Sequence, residues 1–344
     1  MSRGTTARMC APIPAGVNFH DHHPTPADLR AEVRAGLAAT PKRLSPKLFY
    51  DQRGSRLFDA ITELPEYYPT RTEIGILAAH GPEMAEQLGR GQVLVELGSG
   101  SSHKIQILLA ALAPAVYVPV DISREHLLAS AEALARRFPG LRIEAVCADY
   151  SGPFTLPLDA TWGRPAAFFP GSSIGNFEPA AAVQLLSRVA AVLGEGGRLL
   201  IGVDLVKDLA VLEAAYNDAQ GVTAEFNLNL LVRINRELGA DFDVKAFTHR
   251  AGFNPVPDSA LAGGPGRIEM HLISTRPQRV RLADEVFDFA PGEGIHTESS
   301  YKYDLAGFGR LAAEAGFTTE AVWTDPGALF SVHCLRVANP PSGR

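Results

Sequence analysis

The chain has 344 residues, 46% hydrophobic and 20% charged, the composition of an ordinary globular protein long enough for one large domain or two interlocked ones. A formal net charge of -6 and a pI near 5.9 speak against the concentrated basic face that a nucleic-acid partner requires, so small molecules are the expected partners. Cys10, Cys147 and Cys334 lack metal-type spacing, and neither a signal-peptide run nor a membrane-length apolar stretch is present, which reads as a cytoplasmic chain without a membrane partner.

Residues 1–24 are expected to form a tail, with the histidines of "FHDHH" solvated rather than metal-bound. Thr25-Pro26 followed by Asp28 signals a capped helix whose apolar face carries Leu29, Val33 and Leu37. In "ITELPEYYPTRTE" the two prolines predict a stiff irregular loop bearing Tyr67 and Tyr68, with Tyr68 packing inward. From about residue 90, short apolar runs alternate with helical stretches such as 125–137 and 179–193. "QVLVEL" ends at Gly98, "AVYVPV" at Asp121, "RIEAVC" before Asp149, "AAFFP" at Gly171, and "GRLLIGVDL" carries Asp204. This rhythm predicts a doubly wound, Rossmann-like parallel sheet with its ligand beyond the carboxyl ends of the strands.

The rhythm breaks over about 207–302, where a long helix precedes strand-like "RIEMHLIS" and "QRVRLADEVFDF", with the Gly/Pro-rich "NPVPDSALAGGPG" between them. It resumes with a helix at 304–316, a strand at about 319–323, a turn at Asp325-Pro326-Gly327 and a last strand, "LFSVHCLRV". A helix and a hairpin therefore close the sheet. The organisation read from this is a cofactor domain of 72–206 and 303–344, and a substrate domain of 25–71 and 207–302 over the sheet's carboxyl edge. Gly263, Gly264 and Gly266 are hinge candidates for motion of the insertion.

The chemical signal starts at "VELGSGSSHK". Gly98-Ser99-Gly100 allows a tight turn and close backbone approach at a helix N-terminus, but the third glycine of a dinucleotide fingerprint is missing. Asp121, at the end of the second strand, suits the hydroxyls of a ribose, and Asp149-Tyr150, after the third, suits an adenine amine and ring. Together with the hairpin closure, these strand ends point to S-adenosylmethionine (SAM).

"SPKLFYDQRGSRLFDAITELPEYYPTRTE", "VELGSGSSHK", "FFPGSSIGNFEP", "LEAAYNDAQGVTAEFN", "RIEMHL" and "GEGIHTESSYKY" resemble, in order and over nearly the whole chain from about residue 25, the histidine Nα-methyltransferases of ergothioneine biosynthesis. The resemblance implies transfer of three methyl groups from SAM to the α-amino group of L-histidine, giving hercynine and S-adenosylhomocysteine. It implies that Tyr50, Tyr67, Gly171, Asn176 and Tyr216 lie at the substrate, with Tyr50, Asn176 and Tyr216 as catalytic residues, and that Met270, Glu298 and Ser300 surround the imidazole. On the cofactor side it implies Gly98, Ser99, Gly100, Lys104, Asp121, Asp149 and Tyr150, with no metal. The expected partners are L-histidine and its mono- and dimethyl forms, and the chain is read as a monomer. Two other readings keep the fold: a SAM-dependent enzyme acting on another amino acid or small amine, and a SAM-binding module without turnover.

Overall fold

The computed structural model describes residues 16–100, 103–255 and 266–338. Its strands are β1 (Val17–His22), β2 (Lys42–Arg43), β3 (Val93–Leu97), β4 (Val116–Asp121), β5 (Arg142–Ala148), β6 (Pro165–Phe169), β7 (Arg198–Asp204), β8 (Phe247–Asn254), β9 (Gly266–Ser274), β10 (Gln278–Leu282), β11 (Glu285–Phe289), β12 (Gly294–Lys302), β13 (Phe317–Thr324) and β14 (Phe330–Val337). Its helices are α1 (Pro26–Ala38), α2 (Gln52–Thr62), α3 (Tyr68–Leu88), α4 (His103–Leu112), α5 (Arg124–Arg137), α6 (Pro179–Leu193), α7 (Leu209–Ala214), α8 (Val222–Leu238) and α9 (Leu305–Glu314).

The larger sheet runs β1-β5-β4-β3-β6-β7-β14-β13. Its neighbours are parallel from β1 to β7, and β14 enters antiparallel between β7 and β13, so the doubly wound, Rossmann-like α/β class read from the sequence holds. Every residue of β3 is buried, because both faces of the sheet are covered. Val93, Val95 and Leu97 pack with α6 and α9 on one face, while Leu94 packs with α3, α4 and α5 on the other. Cys147 and Cys334 are buried in β5 and β14.

Three local expectations need correction. Residues 17–22 are not tail: β1 pairs with β5 from Val17 to His22, and Asn18 Nδ2 and His20 Nε2 each lie 2.8 Å from an oxygen of the buried Glu144. An edge strand whose polar residues meet one internal carboxylate looks, in sequence, like a solvated segment. The loop around Pro65 and Pro69 is shorter than expected, since α3 already starts at Tyr68 with Pro69 in its first turn, where the missing N–H costs nothing. The run 278–289 is a hairpin that turns at Ala283 with a φ of 54°, not one strand.

A second sheet, β2-β12-β9-β8, lies with the β10–β11 hairpin and with α1, α2 and α8. Its core joins Val33, Phe49 and Ile61 from the N-terminal segment to Phe226, Leu230, Leu272 and Ile295 from the insertion, so the two segments bury their apolar faces against each other. In β12 the pairing with β9 shifts between His296 and Glu298, a bulge. Beyond it, Glu298, Ser300 and Lys302 alternate onto one face. Ten residues of the Gly/Pro-rich stretch, 256–265, lie outside the described residues, Gly263 and Gly264 among them; Gly266 opens β9.

Candidate active site

A cavity of about 370 Å³ opens at the carboxyl ends of β3, β4 and β5 and is lined by Gly98, Ser99, Gly100, Lys104, Asp121, Asp149 and Tyr150. That volume falls in the usual range for small-molecule sites. Gly98 has a φ of +70°, and a β-carbon there would stand 3.2 Å from the Tyr150 hydroxyl, so both the turn and the ring's approach require glycine. Asp121 accepts from the Gly100 N–H at 3.0 Å and the Ser123 N–H at 2.8 Å, which ties the strand end to the glycine loop. Burial raises its pKa above the usual carboxylate value despite those bonds. Asp149 lies 2.8 Å from Lys47 Nζ and accepts from the Ser151 N–H at 2.9 Å. Burial acts to raise its pKa, but Lys47 and Ser151 outweigh burial and hold Asp149 below the usual range, so it is ionised at neutral pH. The Ser99 hydroxyl, on a residue of this wall, is buried without a hydrogen-bond partner.

A second, narrower cavity adjoins the first and is lined by Tyr50, Tyr67, Gly171, Asn176, Tyr216, Met270, Glu298 and Ser300. Tyr50, Phe58, Tyr67, Gly171, Ser173 and Asn176 line both, so these residues form the common wall. Tyr50 and Phe58 meet edge to face with centroids 5.8 Å apart, and Phe58 and Tyr67 do so at 6.2 Å, contacts that each contribute about 0.5–1.5 kcal/mol beyond burial. Burial pushes the hydroxyls of Tyr50 and Tyr67 well above the ordinary tyrosine value, so both stay neutral. Asn176 ends the turn Ser173–Asn176, and its Nδ2 lies 3.4 Å from a Glu298 oxygen. Burial pushes Glu298 up to about 7, with the Lys302 ammonium pulling the other way.

The second cavity is also lined by Asp204 and Lys302, two members of a network of buried charge. Asp204, at the end of β7, accepts from the Tyr68 hydroxyl at 2.8 Å and lies 2.8 Å from Lys302 Nζ and 2.6 Å from Lys207 Nζ. Burial acts to raise Asp204, but the two ammonium groups outweigh it and keep the carboxylate ionised. Tyr68 therefore packs inward, as the sequence predicts, while its neighbour Tyr67 lines the cavities. His249 donates from Nε2 to the Tyr216 carbonyl at 2.9 Å and accepts at Nδ1 from Asn227, also at 2.9 Å, which fixes the backbone that carries Tyr216.

Sequence reasoning named the residues quoted for the two walls except Phe58 and Ser173, and it missed their supports. Glu73 is fully buried, lies 2.7 Å from Lys104 Nζ and accepts from the Gly171 N–H at 2.9 Å, joining the two cavities from beneath. Lys47 and Lys302 were equally silent.

Comparison with known proteins fits this geometry. The chain is 45% identical to a histidine N-alpha-methyltransferase of Mycolicibacterium smegmatis over 310 residues, covering 88% of this chain and 93% of that protein. A histidine N-alpha-methyltransferase of Mycobacterium tuberculosis is also 45% identical, over 311 residues, with the same coverage. Ergothioneine biosynthesis protein 1 of Neurospora crassa is 32% identical over 86% of this chain, which corresponds to 33% of that longer protein. A family model described as histidine-specific methyltransferase, SAM-dependent, matches residues 29–337. The chain belongs to the family of SAM-dependent, histidine-specific methyltransferases.

Proposed function

We propose that this enzyme transfers three methyl groups, one from each of three SAM molecules, to the α-amino group of L-histidine, giving hercynine for ergothioneine biosynthesis. The observation that carries the reading is the pair Glu298 and Ser300, side by side on one strand face in a cavity that shares a wall with the glycine-loop cavity. SAM supplies an electrophilic methyl group on a sulfonium. Gly98, Ser99, Gly100, Lys104, Asp121, Asp149 and Tyr150, which line the first cavity together, would hold it.

Asn176 and Tyr216 take the amino acid's carboxylate and amine, while Met270, Glu298 and Ser300 enclose the imidazole. The amine must present a lone pair across the common wall. Each pH unit below the α-amino pKa makes that cost about 1.4 kcal/mol, whereas positioning two reactants supplies about 7–11 kcal/mol. No strong base is required, consistent with tyrosines that burial keeps protonated. As methyl groups accumulate, the nitrogen loses its N–H donors, and the aromatic faces of Tyr50 and Tyr67 attract the resulting cation by about 0.5–2 kcal/mol.

The cofactor domain comprises β1 with the described parts of 72–206 and 303–338, and the substrate domain 25–71 with the described parts of 207–302. The enzyme works as a cytoplasmic monomer on free amino acid, without nucleic acid or membrane; among the described residues, no helix is long and apolar enough to cross a bilayer. Incubation with SAM and an equimolar mixture of the twenty amino acids, read by mass spectrometry, tests the reading. Histidine alone is consumed and its trimethyl betaine accumulates; methylation of a different amino acid would overturn the substrate, and SAM binding without any methylated product would overturn the activity.

A further inference from the structure

The buried pair Asp204–Lys302 lines the substrate cavity and, through Lys302, touches two more of its residues, Tyr216 and Ser300. Lys302 is fully buried, and its ammonium lies 2.8 Å from Asp204 Oδ2, 2.8 Å from Ser300 Oγ and 3.1 Å from the Tyr216 hydroxyl oxygen. An ammonium has three donors and no acceptor, so these contacts use it completely. Ser300 Oγ also accepts from the Tyr216 hydroxyl at 2.8 Å. Both lone pairs of the serine oxygen are then taken, and only its own proton remains for the cavity. Two residues earlier, on the same strand face, Glu298 offers a carboxylate, which only accepts once ionised.

We infer that Lys302 is a positioning residue that makes Ser300 a one-way donor, so that Ser300 and Glu298 together present one donor and one acceptor to the substrate's side chain. That pair matches a neutral imidazole, which has one N–H and one bare nitrogen, held in a single tautomer. An imidazolium offers two donors, a phenyl ring neither group, and both leave a buried polar atom unpaired. A serine without Lys302 behind it donates or accepts with equal ease. Lys207, the other ammonium on Asp204, contacts Tyr68 and the Leu205 carbonyl instead of the cavity residues and does not substitute for it.

The inference rests on histidine being the substrate, and the experiment separates the two. Wild type, Lys302→Met, Ser300→Ala and the double variant are compared for kcat and KM with L-histidine and for S-adenosylhomocysteine affinity by calorimetry. Lys302→Met is expected to raise KM for histidine by about 10- to 100-fold, with a smaller change in kcat and an unchanged S-adenosylhomocysteine affinity. Adding Ser300→Ala to it should raise KM less than about 3-fold further, because the serine no longer has a fixed direction to lose. Histidine with isotope-labelled ring nitrogens, bound together with S-adenosylhomocysteine, should show one tautomer on wild type and an exchanging mixture on Lys302→Met.

An unchanged KM, factors that multiply in the double variant, or a single tautomer on both proteins would overturn the inference. If Lys302→Met no longer binds S-adenosylhomocysteine, Asp204→Asn with Lys302→Met, which removes both charges of the pair, takes its place in the same cycle. A wild type that binds S-adenosylhomocysteine but leaves histidine unmethylated would overturn the substrate reading, and this inference with it.

Discussion

The two cavities share a wall and are built by opposite rules. The first lies where a parallel sheet always leaves room, beyond its strand ends, and is organised around the Gly98–Gly100 loop and the strand-end carboxylates Asp121 and Asp149. The second is assembled from a N-terminal segment, the turn Ser173–Asn176, the residue Tyr216 and a bulged strand, and is backed by charges that water does not reach. Such a contrast teaches where specificity resides. A cofactor handled by a fold's standing geometry needs few special side chains, whereas discrimination among amino acids needs buried polar groups whose lone pairs and protons are all assigned.

If the division of labour is real, substitutions should damage one cavity's ligand and spare the other's. Glu298→Ala is expected to give the largest effect, lowering kcat/KM for histidine by as much as about 10⁴-fold while S-adenosylhomocysteine affinity stays within the error of calorimetry. Asp121→Ala should do the converse, weakening S-adenosylhomocysteine by about 10- to 100-fold, since the carboxylate also ties down the Gly100 and Ser123 amides. Comparable losses of both ligands in either variant would erase the distinction between the cavities.

The common wall sharpens the comparison further. Tyr67→Leu keeps an apolar side chain but removes the aromatic face, and should slow the dimethyl form more than histidine itself by about 2- to 30-fold in single-turnover measurements. Equal slowing of all three methylations would assign Tyr67 to packing alone.

The smallest effect is on stability. Glu298 has a folded pKa raised to about 7 from an ordinary 4.5, so the folded ligand-free enzyme binds more protons than the unfolded chain between those values. Its contribution therefore favours folding at low pH and is lost as pH rises through about 7. In thermal melts across that window, Glu298→Gln should lack the part of the downward trend that wild type shows; parallel curves would place the titration elsewhere.

How much of this was legible in sequence follows the same division. Continuous apolar strands ending in Gly98, Asp121 and Asp149 announce the sheet and its ligand edge, because burial on both faces leaves an unmistakable run. The edge strand β1 was hidden, since four of its six residues are polar and its partner Glu144 is 120 and more residues away. Glu298 and Ser300 were named through the resemblance of their motif; periodicity alone did not reveal that "GEGIHTESSYKY" is a strand, for the bulge at His296–Glu298 breaks the alternation. Glu73, Asp204 and Lys302 acquire meaning only when residues from distant parts of the chain meet around them.

The most direct test is a crystal structure of the enzyme with S-adenosylhomocysteine and L-histidine bound together. The imidazole should lie between Glu298 and Ser300, with the α-amino nitrogen at the common wall of Tyr50, Tyr67 and Asn176 and aimed at the sulfur in the glycine-loop cavity. An imidazole seated away from Glu298, or an amino nitrogen separated from the sulfur by that wall, would contradict the assignment of the two cavities.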